Sequence, residues 1–111
     1  MSRAISTAQL KSLRKGAKGF LLIDVLPKEM FDLDHIPGAR NVPLDAADFV
    51  QAVAHHASGS RNRRVILYCA GPGSDASARA AAMLVAGGFT DVLDYAGGLA
   101  AWNESTTATP R

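Results

Sequence analysis

The stretch VILYCAGPGSDASARAAAMLVAGG, Val65 to Gly88, reads as strand, turn and helix in direct succession. Val65 to Tyr68 is an unbroken apolar run, too short for a helix and free of polar alternation, as expected of a strand buried on both faces. Residues 70–76 are almost all small, with Gly71, Pro72 and Gly73 at their centre. From Ser77 to Ala86 the alanine-rich run with Met83 and Leu84 is strong helix former, and Gly87-Gly88 stops it. The only cysteine of the chain, Cys69, stands at the junction of strand and turn.

Working outward, the pattern repeats. Phe20 to Val25, apolar but for Asp24, is a second such run and a second central strand. Ser6-Thr7-Ala8-Gln9 has the form of a capping box, and Ile5, Leu10 and Leu13 recur at helical spacing, which predicts a helix ending near Gly16. Pro27 can open a helical segment over Lys28 to Leu33, and Ile36-Pro37-Gly38 turns the chain into a brief strand over Ala39 to Val42. Ala46 to His56 is amphipathic, with Phe49, Val50 and Val53 on one side. Asp91 to Tyr95 predicts a further strand, and Gly98 to Trp102 a last turn or helix. Strands alternating with helices define the α/β class, with a central, mainly parallel sheet of four to five strands covered by helices on both faces.

The chain has 111 residues, 48% of them hydrophobic and 20% charged, which fits one packed domain over residues 1–111. Its core is expected over about residues 5–103, with 104–111 as a frayed tail. The net charge is only +2, and its one basic run, Arg61-Asn62-Arg63-Arg64, reads as a solvated loop. With one tryptophan, two tyrosines and four phenylalanines, the chain lacks the dense basic and aromatic face of a nucleic-acid binder. No apolar run reaches membrane-spanning length and no signal peptide is visible, so a cytoplasmic protein is expected. A single thiol excludes an internal disulfide and thiol-rich zinc sites, and His35, His55 and His56 lack ligand spacing, so neither metal nor cofactor is expected.

The chemistry therefore centres on Cys69. In open α/β sheets ligands gather beyond the carboxyl ends of the strands, where loops meet helix amino termini. Ala70, Gly71, Pro72, Gly73, Ser74, Asp75 and Ala76 are small enough for backbone N–H groups to converge into an anion nest, with the thiolate as nearest anion. The ordinary alternative is a buried structural cysteine behaving as a small hydrophobe. Position at a strand-to-helix turn favours a nucleophile.

At these residues the sequence resembles the single-domain rhodanese-like proteins. Leu22-Ile23-Asp24-Val25, His35 to Pro43, Val65 to Cys69 and Gly97 to Trp102 match the landmarks of that family in order. The resemblance implies a three-layer rhodanese-like fold. It also implies that Cys69 accepts a sulfane sulfur, holds it as a persulfide, and passes it to a thiol or cyanide. The implied partners are a small sulfur donor, or a protein persulfide or thiol acceptor, acting on a monomer or weak dimer.

The chain departs from the family at its loop. Typical members have an arginine just before the helix-opening serine; aligning that serine with Ser77 puts Ala76 there and leaves the loop about two residues longer. This looks like a variant subfamily in which a second cysteine often stands at the position of Ser74. Leu26 also replaces a usual arginine. No Lys or Arg lies between Cys69 and Ser77, and Asp75 adds a negative charge. Charges a few ångströms apart at a surface change affinity on the order of ten- to a thousand-fold, so thiosulfate is expected to be a poor donor.

Two other classes follow from the same residues. A rhodanese-like binding or regulatory module would keep the sheet and lose catalysis. A cysteine-dependent phosphatase or arsenate reductase would need an arginine at the loop's end to grip its oxyanion, and none is present. Among supporting residues, Asp24 caps the segment after its strand or accepts a neighbouring backbone donor. Arg79 is expected to point to solvent. Ser77 and Ser74 offer hydroxyls, and His35 steadies its turn. Trp102 is expected to cover one end of the core. Gly71 and Gly73 are expected to take backbone angles closed to other residues.

Overall fold

The structure, a computed structural model, describes residues 2–16 and 19–107. In chain order the elements are β1 (Ser2–Ala4), α1 (Thr7–Lys15), β2 (Leu21–Asp24), α2 (Lys28–Leu33), β3 (Arg40–Asn41), α3 (Phe49–His56), β4 (Val65–Tyr68), α4 (Ala76–Ala86), β5 (Val92–Tyr95) and α5 (Gly98–Thr107). The five strands form one sheet in the order β1-β5-β4-β2-β3. Every pairing in it is parallel. β2 and β4 are neighbours at the centre, with Asp24 level with Tyr68.

Side-chain alternation along the strands sorts the core into two layers. Leu21, Ile23, Val25, Val65, Leu67 and Cys69 face α3 and α4, packing on Phe49, Val53, Ala80, Ala81 and Leu84. Leu22, Ile66, Tyr68, Leu93 and Tyr95 face the other way, towards Leu10 of α1 and Leu99 and Trp102 of α5. Each fully buried aliphatic side chain contributes about 1.5–3 kcal/mol, so the central strands carry much of the folding energy.

The capping box of α1 forms as its sequence requires: Gln9 N–H donates to Ser6 Oγ at 3.1 Å, and Ser6 N–H donates to Gln9 Oε1 at 2.8 Å. Trp102 is half-buried over that layer, with Lys11 Nζ 5.5 Å and the Arg14 guanidinium 5.1 Å from its ring centroid. His35 donates through Nδ1–H to the Phe31 carbonyl at 2.8 Å and stacks on the Phe31 ring at 3.9 Å, so it does steady its turn.

Several expectations change. The edge strand β1, three exposed residues paired only with β5, has no apolar pattern to announce it. Glu104 to Thr107, expected in a loose tail, continue α5, while the remainder of that tail lies outside the described residues. The basic run is not simply solvated. Arg61 donates to the Gly87 carbonyl at 3.1 Å and lies over Phe89, and Arg64 pairs with Asp91 at 2.9 Å. Among the described residues no helix is long and apolar enough to cross a membrane, and no group of three or more His, Cys, Asp or Glu converges.

Candidate active site

Cys69 sits one residue beyond β4, at the carboxyl tip of the central strand and at the mouth of α4. Its root is fixed by the first turn of α5. Leu99 N–H donates to the Cys69 carbonyl and Ala100 N–H to the Ala70 carbonyl, each at 2.9 Å, so amides that a helix start leaves unpaired hold the base of the loop. Gly98 allows this approach, because any Cβ there would lie 2.5 Å from the Cys69 carbonyl oxygen.

The side chain of Cys69 is fully buried. Sγ lies 3.5 Å from Ser77 Oγ, 3.8 Å from the Ser74 carbonyl and 3.9 Å from the Gly71 carbonyl, each within reach of its proton. Burial pushes the thiol up, but hydrogen bonds from the side chains of Ser74 and Ser77, then from the backbones of Ser77 and Gly71, outweigh it and hold the thiol below its ordinary range. The amino terminus of α4 favours the same direction.

Not every amide of the loop is free to face the sulfur. Ser74 N–H is spent on the Gly71 carbonyl at 3.0 Å and Ala76 N–H on Ser74 Oγ at 3.2 Å, while Pro72 has none to offer. The sulfur is held by two serine side chains and a pair of backbone groups instead. Nor do Gly71 and Gly73 adopt positive φ; among the described glycines only Gly38, Gly59, Gly88 and Gly98 do. Gly71 is needed for space, since a Cβ would meet that of Ala100 at 3.2 Å, whereas Gly73 faces open space.

Pro72, Gly73, Ser74 and Asp75 are exposed, and of these Ser74 touches the thiol through its carbonyl. Arg79 points outward, 3.9 Å from Asp75, with 66% of its side chain exposed. Such a pair at the surface contributes at most about 1 kcal/mol and leaves the thiol without a cation of its own.

Asp24 ends β2 beneath the neighbouring turn. It does not cap α2, whose N-cap is Pro27 with no side-chain bond. Its Oδ1 accepts from Leu26 N–H at 2.8 Å, an Asx-type turn, and its Oδ2 is buried with no hydrogen bond. Burial raises the Asp24 carboxyl above its ordinary value, against the Tyr68 phenol, the Leu26 amide and His35, which favour its charge. Burial likewise pushes the Tyr68 phenol up, so it is neutral and accepts from Ile36 N–H at 3.0 Å. Asn41 was not singled out from sequence. Its Nδ2 donates to the carbonyls of Asp24 at 3.1 Å and Leu26 at 2.8 Å, bracing the turn beside the loop. Only an Asn two residues before a proline hinted at that brace.

A phosphate-binding loop would need a guanidinium among residues 70–76, and none lies there. What remains is a lone, buried thiol at the tip of a parallel sheet. Residues 6–105 match the family model described as the rhodanese-like domain. The chain belongs to the rhodanese-like family. It is 33% identical over 100 residues to the uncharacterized protein YqhL of Bacillus subtilis, covering 90% of this chain and 74% of that one. It is 32% identical over 104 residues to the adenylyltransferase and sulfurtransferase UBA4 of Candida albicans, covering 90% of this chain but only 23% of that one. A rhodanese-like domain from Anabaena sp. superposes with a TM-score of 0.79 at 28% identity, over 100% of this chain and 86% of that one.

Proposed function

We propose that this protein is a sulfurtransferase or sulfane-sulfur carrier that forms a persulfide on Cys69 and uses thiosulfate poorly. The observation that carries the reading is the placement of Sγ one residue beyond β4, at the amino terminus of α4 and 3.5 Å from Ser77 Oγ. In the reaction, the Cys69 thiolate attacks the sulfane sulfur of a donor. The new S–S bond forms as the donor's bond to that sulfur breaks, and the electron pair leaves with the donor. The terminal sulfur then carries the negative charge, which the amino terminus of α4 favours. Neither step needs a metal, a cofactor or a side-chain base.

Support comes from the family, and from a relative whose name includes sulfurtransferase. Poor use of thiosulfate follows from the outward, Asp75-bound Arg79 and the absence of Lys or Arg over residues 70–76. The donor suited to this site is a persulfide on a small thiol or on another protein, and the setting is a reducing cytoplasm with the protein a monomer or weak dimer. Because Sγ is fully buried, the exposed loop from Pro72 to Asp75 must move aside for the donor.

The test is sulfur delivery from an organic persulfide and from thiosulfate, compared for the protein and for Cys69→Ser. Rapid delivery from the persulfide, slow delivery from thiosulfate and none in the variant support the reading; equal rates from both donors overturn its electrostatic part. A rhodanese-like binding module is the second reading, and the complete burial of Cys69 is what favours it. Absence of sulfur on Cys69 with every donor class would establish that alternative.

A further inference from the structure

The sheet face that carries α1, opposite to the face that carries Cys69, has a groove along one side of that helix. Gln9, Ser12, Leu13 and Gly16 recur at helical spacing and wall two recesses of about 310 and 530 Å³. Both recesses include Ser12, Leu13 and Arg64, so they run together as one trough. From Gln9 to Gly16 the helix rises about 10 Å, which makes the trough elongated. Its floor is apolar, because Ile5, Leu13 and Phe20 are half-buried and rest on the core layer beneath.

The charges sit at its two ends. Arg64, in the middle, is paired with Asp91 at 2.9 Å. Arg3 lines the end near Gln9 and Arg63 the end near Gly16, and neither forms an ion pair among the described residues. Arg3 is exposed, while Arg63 is half-buried with its guanidinium over Gly19, where a Cβ would stand 3.8 Å from Nη2. The carboxyl end of α1 opens beside Arg63, and its partial negative charge of about half a unit is smaller than the two unpaired unit charges. Arg14 and Lys15 in that last turn already offset it. The lining therefore keeps an excess of positive charge at both ends of an apolar floor.

We infer that this groove docks a short extended segment of a partner protein, one with two carboxylates about three residues apart and an apolar side chain between them. Three extended residues span about 10 Å, which matches the rise from Gln9 to Gly16. Arginine suits the two ends because its planar fork takes a carboxylate in two parallel hydrogen bonds. A single small anion would engage one end and leave the floor and the other arginine unused. Because the groove and Cys69 lie on opposite faces, a docked segment leaves the thiol free, and the inference stands apart from sulfur carriage.

The test titrates a peptide containing Glu-Phe-Ser-Glu into isotope-labelled protein and follows the backbone amide resonances. Saturable shifts at Ser12, Phe20 and Arg64, with none at Cys69, are expected. Arg3→Gln and Arg63→Gln should each weaken binding about two- to fivefold, and high salt should weaken it further. Serine in place of the peptide's phenylalanine should cost at least about tenfold. Arg79→Gln, on α4 across the sheet, and Cys69→Ser should bind as the unmodified protein does; urea midpoints verify that every variant is folded. Absence of saturable shifts, equal binding of the phenylalanine and serine peptides, or an equal loss in Arg79→Gln overturns the inference. Tighter binding of an RNA oligomer of equal charge, or self-association that shuts the peptide out, overturns it as well by assigning the surface to another occupant.

Discussion

Gly98 packs on the backbone of Cys69 so closely that a Cβ would fall 2.5 Å from the Cys69 carbonyl oxygen and 2.8 Å from Gly71 N, and its φ of +63° is one that L side chains avoid. Glycine at this position therefore ties the start of α5 to the root of the loop. Gly98→Ala combines the left-handed penalty with a backbone collision that cannot be relieved by a side-chain rotation. A loss of roughly 2–4 kcal/mol is expected, read from the urea midpoint. Alkylation of Cys69 should become faster in the same variant as the loop loosens.

Ser77 places its hydroxyl 3.5 Å from Sγ from a buried position in the first turn of α4. Iodoacetamide rates against pH should give a midpoint below the ordinary thiol value of about 8.5. Ser77→Ala should raise that midpoint while changing stability by only about 1 kcal/mol. The sign for stability follows from the lowered folded value. The thiolate stabilises the fold above the unfolded thiol's pKa, and that contribution is lost as pH falls through the folded one, so the advantage over Cys69→Ala should grow with pH. A midpoint at the free-thiol value in the unmodified protein would contradict this.

Asp24 titrates with the opposite sign. Its folded value is raised by burial, so the proton it holds stabilises the fold below the unfolded carboxyl's pKa, and this is lost as pH rises through the folded value. Asp24→Asn keeps an acceptor for Leu26 N–H without the buried charge. The stability of the unmodified protein relative to this variant should fall as pH rises above the unfolded carboxyl's value of about 4, measured by denaturant melts. A flat difference would show that Asp24 is not strained by its charge.

The loop glycines should separate by space rather than by backbone angle. Gly73→Ala places its methyl in open space and is expected to leave stability within about 0.5 kcal/mol. Gly71→Ala presses on Ala100 at 3.2 Å, where the first turn of α5 is bonded to Ala70, and should cost more. Urea midpoints of the two variants check the order, and the reverse order would contradict it.

The central strands were legible because full burial calls for apolar runs, and Val65 to Tyr68 and Leu21 to Ile23 supply them. The capping box at Ser6 was legible because its partners lie three residues apart. What escaped sequence reading depends on pairing across the chain. Strand β1 exists only through β5, Gly98 matters only because Cys69 lies against it, and Asn41 braces carbonyls 15 and 17 residues away. The use of two loop amides within the loop escaped for a similar reason. Composition says which residues can form a nest, but Ser74 and Ala76 spend their N–H groups within the loop itself.

The most direct test of sulfur carriage is the mass of Cys69 itself. The purified protein is incubated with an organic persulfide, and the intact mass and the peptide containing Cys69 are measured before and after reduction. A gain of one sulfur atom on Cys69, removed by a thiol reductant and absent from Cys69→Ser, is the expected result. An unchanged mass on a folded protein whose thiol still reacts with iodoacetamide would contradict it.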